Sequence, residues 1–233
     1  MVYFEEDYIF RNNKSITNNN DIALTELVAN AWDAGARNVD ITIPLEEHEL
    51  ISIEDDGIGM TDEEFHERWM TLNYNRQKRQ GASVLFPDEG ENSKRIAYGR
   101  NGVGRHGMFC FANSYKIETW KDGVSNIYDI ATSHGNSPYK IINHTIDTKD
   151  GHGTKISAFV DRHLPDANAM TDILSARFMY DPKFVVKING KNIDLSQHKG
   201  VIYEKEFITK ANAKLMMTIV DSEKAAAKSQ QHG

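Results

Sequence analysis

Residues 21–35 read D-I-A-L-T-E-L-V-A-N-A-W-D-A-G, and their spacing predicts an α-helix with two unlike faces. Leu24, Leu27, Val28 and Ala31 supply an apolar stripe, while Glu26, Asn30 and Asp33, at steps of four and three, stack along another. A helix that packs on a core normally keeps ionisable groups off its inner stripe. Two carboxylates and an amide beside apolar positions read either as a solvated face or as a polar wall turned towards a ligand. This run alone does not choose between them.

Three later segments bear on the choice. Residues 53–60, I-E-D-D-G-I-G-M, follow an apolar stretch from Leu50 that reads as a strand. Asp55 then stands at the strand exit, and Gly57 and Gly59 let the backbone turn tightly and approach a flat ligand. A carboxylate there can accept from an exocyclic amine; an ordinary acidic turn is the plainer reading of this segment by itself. Residues 98–109, Y-G-R-N-G-V-G-R-H-G-M-F, place Gly99, Gly102, Gly104 and Gly107 ahead of the helix-compatible M-F-C-F-A. Glycines before a helix start expose backbone N–H groups to an anion such as phosphate. The segment lacks the strand and acidic residue of a dinucleotide fingerprint, and it has no G-K-[ST] for a P-loop. Residues 150–160, D-G-H-G-T-K-I-S-A-F-V, open an alternating strand at Gly153 and Thr154. The Thr154 hydroxyl can share a hydrogen-bond network with Asp55.

In this order, E-x-x-x-N-x-x-D-A, D-x-G-x-G-M, G-x-x-G-x-G and G-T resemble the GHKL ATPases. That family comprises gyrase, the ninety-kilodalton heat-shock chaperone, histidine kinases and MutL, with MORC proteins and topoisomerase VI as relatives. The resemblance spans about residues 15–160 and leans towards the MORC, topoisomerase VI, MutL and chaperone side. It implies an α+β Bergerat fold: a two-layer sandwich whose mixed, mostly antiparallel sheet is covered on one face by helices.

The resemblance also implies roles. Glu26 matches the general base that activates the water attacking the γ-phosphate, and Asn30 matches the Mg²⁺ ligand. Asp33 lies on the adenine and ribose side, and Asp55 accepts from the adenine N6 amine, with Thr154 supporting it through water. Gly59 and Met60 form the floor under the ring, with Gly57 among the nucleotide-binding residues beside them. Gly99, Arg100, Asn101, Gly102, Val103 and Gly104 end an ATP lid of about residues 61–104, whose amides wrap the phosphates. Chemistry of this kind rests on positioning and charge neutralisation. Histidine kinases typically lack a water-activating Glu one turn before the Asn, so Glu26 favours hydrolysis over transfer to protein. His106 is expected at the lid or phosphate edge rather than as a phospho-acceptor.

Within that lid, T-D-E-E-F-H-E-R-W-M-T-L predicts a helix capped by Thr61. The polar stretches after it read as loop. Arg76, Lys78, Arg79, Lys94, Arg95, Arg100 and Arg105 fall here; most suit a solvated loop, and Lys78 or Arg100 is the candidate to reach the phosphates. Strands are expected at Val39–Ile43, Leu50–Ile53, Ser114–Trp120, Ser125–Ala131, Tyr139–Ile146 and Thr154–Val160. Helices are expected around Glu26, Phe65, Phe109 and Ile173.

The chain has 233 residues, 39% of them apolar, a net charge of −7 and one cysteine. No apolar run approaches the roughly 20 residues of a membrane span. With Cys110 alone no intrachain disulfide can form, so the cytoplasm is the expected compartment. A net negative charge argues against a surface that grips nucleic acid all over, though a local basic patch is compatible with it. The ATP-binding unit is expected over 1–180. F-V-V-K-I-N-G-K-N-I-D-L predicts a hairpin around Asn189-Gly190, and residues 181–233 are expected to begin a truncated transducer-like domain of a longer protein. The aromatic-rich segment 1–20 reads as a strap exchanged between subunits or as an element of the same domain. The functional expectation is an ATP- and Mg²⁺-dependent clamp that hydrolyses slowly and forms a homodimer when nucleotide is bound, its client being protein or DNA. A histidine or serine protein kinase and a nucleotide-binding module without turnover are the alternatives.

Overall fold

The computed structural model describes residues 18–220 apart from 73, 75, 100–103, 134–136, 179–180, 182 and 194–200. Helix α1 (Asn20–Asp33) starts where Asn19 offers its side-chain oxygen to the N–H groups of Asp21 and Ile22, at 3.0 and 3.2 Å. Ala23, Leu24, Leu27, Val28, Ala31 and Trp32 are buried on its inner face, while Glu26, Asn30 and Asp33 are only partly covered. The helix ends at Gly35, at a φ of +79°, where a Cβ would fall 2.3 Å from the Leu85 carbonyl. Only glycine combines that φ with that approach.

Strands β1 (Asn38–Thr42) and β2 (Leu50–Asp55) follow. After them come a short helix α2 (Asp62–Glu64) running into a π-turn (Phe65–Trp69), helix α3 (Arg76–Gln80), and strands β3 (Ser83–Phe86) and β4 (Gly90–Ile96). A 3₁₀ segment (Gly104–Cys110) leads to β5 (Ser114–Lys121), β6 (Val124–Thr132), β7 (Tyr139–Thr148) and β8 (Gly153–Phe159). Helix α4 (Ala167–Phe178), β9 (Val185–Ile188) and β10 (Lys191–Asn192) complete the main unit, and β11 (Val201–Ile208) pairs with β12 (Lys214–Val220) in a separate ribbon.

Eight strands form one sheet in the order β10-β9-β1-β2-β8-β5-β6-β7. Its pairings are antiparallel except for β1 with β9, which makes it the mixed, mostly antiparallel sheet of the expected α+β architecture. Inward positions such as Ile41, Ile51, Ile53, Ile117 and Ile156 are buried under α1, α4 and the 3₁₀ segment. On the other face, directly opposed pairs join neighbouring strands: Glu54 with Lys155 at 2.8 Å, Asp40 with Lys187 at 3.4 Å, and Lys116 with Asp129 at 3.8 Å. Cross-strand opposite charges keep that face wet and hold register, each contributing about 0.2–1 kcal/mol.

The hairpin predicted at Asn189-Gly190 is present, both residues having positive φ, 50° and 75°, as a two-residue turn of the primed type requires. The boundary expected at 181 falls ahead of Phe184, which packs edge-on to Trp32 at 5.0 Å, and of β9, a strand of the main sheet. Two expectations change. M-F-C-F-A lies at the end of a 3₁₀ segment instead of opening an α-helix. The stretch expected as polar loop after α2 contains the β3–β4 hairpin, docked on the C-terminal end of α1: Trp32 Nε1 donates to the Ile96 carbonyl at 2.8 Å, and the Arg95 guanidinium lies 4.0 Å from the Trp32 ring. Arg95 is buried there and donates to the Trp32 carbonyl, so a backbone acceptor at a helix end and an aromatic face take the place of solvent.

Candidate functional site

A cleft of about 1100 Å³, its open mouth included, runs between α1 and the inner face of β2 and β8. Glu26, Asn30 and Asp33 line one wall, and Asp55, Gly59, Met60 and Thr154 line the floor. The polar stripe read from the helix thus faces a cavity, not bulk solvent. Gly99 and Gly104 stand at its edge. Gly57 lies beside it, and Arg100, Asn101, Gly102 and Val103 lie outside the described residues.

The floor is built by backbones in close approach. Asp55 ends β2 directly opposite Thr154 of β8. Its carboxylate accepts the Gly57 N–H at 2.9 Å and is otherwise shut from water. Burial, reinforced by the neighbouring Asp56 and Glu54 charges, pushes Asp55 up to about 7. Gly59 has a φ of +66°, and a Cβ on it would lie 2.1 Å from the Trp120 carbonyl; one on Gly153 would lie 2.4 Å from the Asp55 carbonyl. The Met60 N–H donates to Thr119 Oγ1 at 2.8 Å, and that hydroxyl lies 3.3 Å from the Gly153 carbonyl and 3.4 Å from Thr154 Oγ1. Thr119 therefore supports the floor from beneath. No signal marked it in the sequence, because it sits mid-strand and reaches the site only through the β5–β8 pairing.

On the wall, both Asp33 carboxylate oxygens are engaged by protein: Tyr98 N–H donates at 2.7 Å and Gly99 N–H at 2.9 Å. The last residue of α1 thus fixes the chain where the glycine segment begins. Burial still raises Asp33 above its ordinary range despite those two donors. Glu26 is likewise raised by burial, with Asp33 adding to the effect and the Arg177 guanidinium opposing it. Gly104 presses on Glu26 so closely that a Cβ would fall 2.3 Å from Oε2. The charge of Arg177, from α4, is also felt at the Tyr98 hydroxyl, and the Tyr98 ring packs on Phe178 at 5.0 Å. The sequence carried no sign of Arg177, whose position depends on how α4 packs against α1.

The Asn30 amide has a buried Nδ2 with no hydrogen-bond partner. An amide end left open at the cleft fits an oxygen donor for a hard cation, since the two ends of an amide exchange by a flip. Among the described residues no cluster of three His, Cys, Asp or Glu could hold a metal. A divalent cation at this wall would therefore take most of its ligands from a phosphate group and water, as Mg²⁺ prefers.

The predicted cap is in place: Thr61 and Glu64 form a reciprocal capping box, and Glu64 also binds Arg68 and Lys121 at 2.8 and 3.1 Å. His106 departs from expectation. It is 3% exposed, with Nδ1 2.7 Å from the Tyr115 hydroxyl, and burial drives its pKa down to about 3. A neutral core histidine beneath the segment replaces the expected group at the phosphate edge. His152, unremarked in the sequence, joins the Gly57 carbonyl at 2.8 Å to Asp88 at 3.2 Å and so ties the floor loop to the β3–β4 turn. No helix among the described residues is long and apolar enough to cross a membrane.

Residues 18–160 match the family described as histidine kinase-, DNA gyrase B-, and HSP90-like ATPases. A protein of Herpetosiphon aurantiacus named "Putative type II restriction enzyme HgiDII" is 37% identical over 99 residues, which are 42% of this chain and 14% of that protein. The chain is thus similar to a small part of that relative's length.

Proposed function

From a chain that belongs to the histidine kinase-, DNA gyrase B- and HSP90-like ATPases, we propose a nucleotide-operated clamp that binds Mg²⁺-ATP in the cleft and hydrolyses it slowly. The observation that carries this reading is the wall of α1: Glu26, Asn30 and Asp33 all line one cavity, opposite the buried carboxyl of Asp55. Asp55, held at the strand exit, accepts the adenine N6 amine, and the backbone floor at Gly59 and Met60 lets the flat ring lie close to the sheet. Beneath the floor Thr119 fixes the Met60 N–H, and Thr154 keeps a hydroxyl at the cleft to reach Asp55 through water.

Asn30 would hold Mg²⁺, which supplies charge neutralisation on the phosphates. Glu26 serves as general base towards the attacking water; burial places its proton affinity above that of an ordinary glutamate, a direction that suits proton abstraction. Asp33 acts by holding the Tyr98 and Gly99 amides, so the glycine segment is anchored where it meets the phosphates. Its direct contact with the nucleotide becomes secondary in this reading. Lid movement over 61–104 and pairing of two copies complete the clamp cycle. Among clients DNA is favoured by the name of the restriction-enzyme relative.

Calorimetric titration with a non-hydrolysable ATP analogue and Mg²⁺, on wild type and Asp55→Asn, tests the pocket. Binding by wild type that collapses in the variant supports it, and no binding by wild type removes it. Phosphate release by wild type but not by Glu26→Ala separates turnover from simple binding. Transfer of labelled phosphate to protein would favour the kinase alternative.

A further inference from the structure

Arg105 follows Gly104, the residue pressed against Glu26, and its side chain lines the same cleft. It is 8% exposed. Its surroundings are a single long contact from Nη1 to the Thr71 carbonyl, 3.4 Å, and the face of Tyr74, 5.3 Å from the guanidinium carbon. Burial pushes it down to about 10.

Of the other arginines around the cleft, two pair with carboxylates, and Arg76 is held by backbone carbonyls while its buried Nε has no hydrogen-bond partner. Arg68 pairs with Glu64 at 2.8 Å, Arg79 with Glu67 at 2.6 Å, and Arg76 donates to the Gly81 and Ser83 carbonyls at 3.1 and 3.3 Å. Among the described residues, Arg105 has no carboxylate partner. A guanidinium taken out of water without a counter-charge is a costly arrangement, and folded proteins keep it where an anion arrives to complete it. The planar fork of arginine matches phosphate oxygens bidentately, and the Tyr74 ring beside it limits screening by water.

We propose that Arg105 is the cation that takes the terminal phosphate of the nucleotide, supplied by this same domain next to the residue that packs on Glu26. The assignment rests on the ATP reading above. It moves the role away from Lys78, which is exposed on α3 and does not line the cleft, and from Arg100, which lies outside the described residues. Directly below, His106 is neutral and bound to Tyr115, so it adds no competing charge and holds the backbone that carries Arg105.

The experiment uses the full chain with Mg²⁺, titrating AMP and a non-hydrolysable ATP analogue into wild type, Arg105→Met and Arg105→Lys, with melting curves in parallel. Arg105→Met is expected to weaken the ATP analogue roughly 10- to 100-fold, the loss of a charge-assisted contact, and to leave AMP within about twofold. Arg105→Lys recovers part of the difference. Without ligand, Arg105→Met melts at or above the wild-type temperature, because no ion pair is broken, and its stabilisation by the ATP analogue disappears. Equal losses for AMP and ATP analogue, an unchanged ATP affinity, or a lower melting temperature without ligand would each overturn the assignment. If wild type binds the analogue and the variants do not discriminate, Arg105 is at fault; if wild type binds neither ligand, the ATP reading itself fails and the assignment with it.

Discussion

Gly104 and Glu26 touch so closely that a methyl group on Gly104 would lie 2.3 Å from Glu26 Oε2 and 2.5 Å from its Cβ. The carboxylate end can rotate away, but the Cβ is held by α1. Gly104→Ala must therefore displace either the helix or the 3₁₀ segment. Overpacking of this kind costs about 1–3 kcal/mol, and the displaced base should lower phosphate release at least roughly tenfold. Urea unfolding and a phosphate-release assay read the two effects separately; a variant normal in both would remove the coupling.

Glu26→Gln keeps the shape of the wall and removes the proposed proton acceptor. Nucleotide affinity should stay near wild type while turnover falls by about 10²- to 10⁴-fold. Because burial raises Glu26, the wild-type rate should climb with pH through a midpoint above the usual glutamate range, as the carboxylate form becomes populated. The variant should lose that limb of the profile.

Arg177 opposes the effect of burial on Glu26. Removing its charge in Arg177→Met should raise the Glu26 midpoint further and shift the rising limb to higher pH, with Arg177→Lys in between. A pH–rate profile that loses height without moving would mark Arg177 as a packing residue of α4 only.

Asp55 titrates near 7 in the folded chain, above its unfolded value of 3.8. A raised carboxyl means the native state binds more protons, so its contribution to stability is full below about pH 4 and is lost as pH rises through 7. Asp55→Asn should abolish that slope in unfolding experiments run between pH 4 and 8. In the proposed pose, donation by the adenine amine would favour the ionised form, so nucleotide affinity should increase from pH 6 to 8 with proton release. Calorimetry in buffers of different ionisation enthalpy detects that proton, and its absence would place the amine elsewhere.

Thr119→Val keeps the side-chain volume and deletes the hydroxyl that accepts the Met60 N–H. A buried amide left without its partner costs about 1–3 kcal/mol. The expected outcome is a lower unfolding midpoint in urea together with weaker ATP-analogue binding. Loss of stability with unchanged affinity would make Thr119 a strand residue rather than a support of the floor.

The helix 21–35 was legible because its two stripes follow from residue spacing alone, and the Asn189-Gly190 turn because both positions need a left-handed backbone that those residues adopt readily. The glycine-bearing segments were legible for a related reason: close backbone approach excludes a Cβ, and the sequence records the exclusion at Gly59, Gly104 and Gly153. The 3₁₀ geometry of Gly104–Cys110 was not legible. Met108, Phe109 and Cys110 suit several helical forms, and packing between α1 and the sheet chose the tighter one. Arg95 and His106 were misread because polar side chains near glycine usually mean solvent; here a tryptophan face and helix-end carbonyl receive one, and a tyrosine hydroxyl receives the other.

The amino-acid order by itself determined the architecture, the stripe of Glu26, Asn30 and Asp33 and the strand-exit position of Asp55, since each rests on a short-range period or a local backbone requirement. Only the tertiary structure decided that the stripe faces a cleft, that Asp33 spends its carboxylate on Tyr98 and Gly99, and that Thr119, Arg105 and Arg177 join the site. Those residues come from separate elements, and their roles depend on burial and on counter-charges that are absent or present. Such properties arise only when distant segments pack together, and no local pattern encodes them.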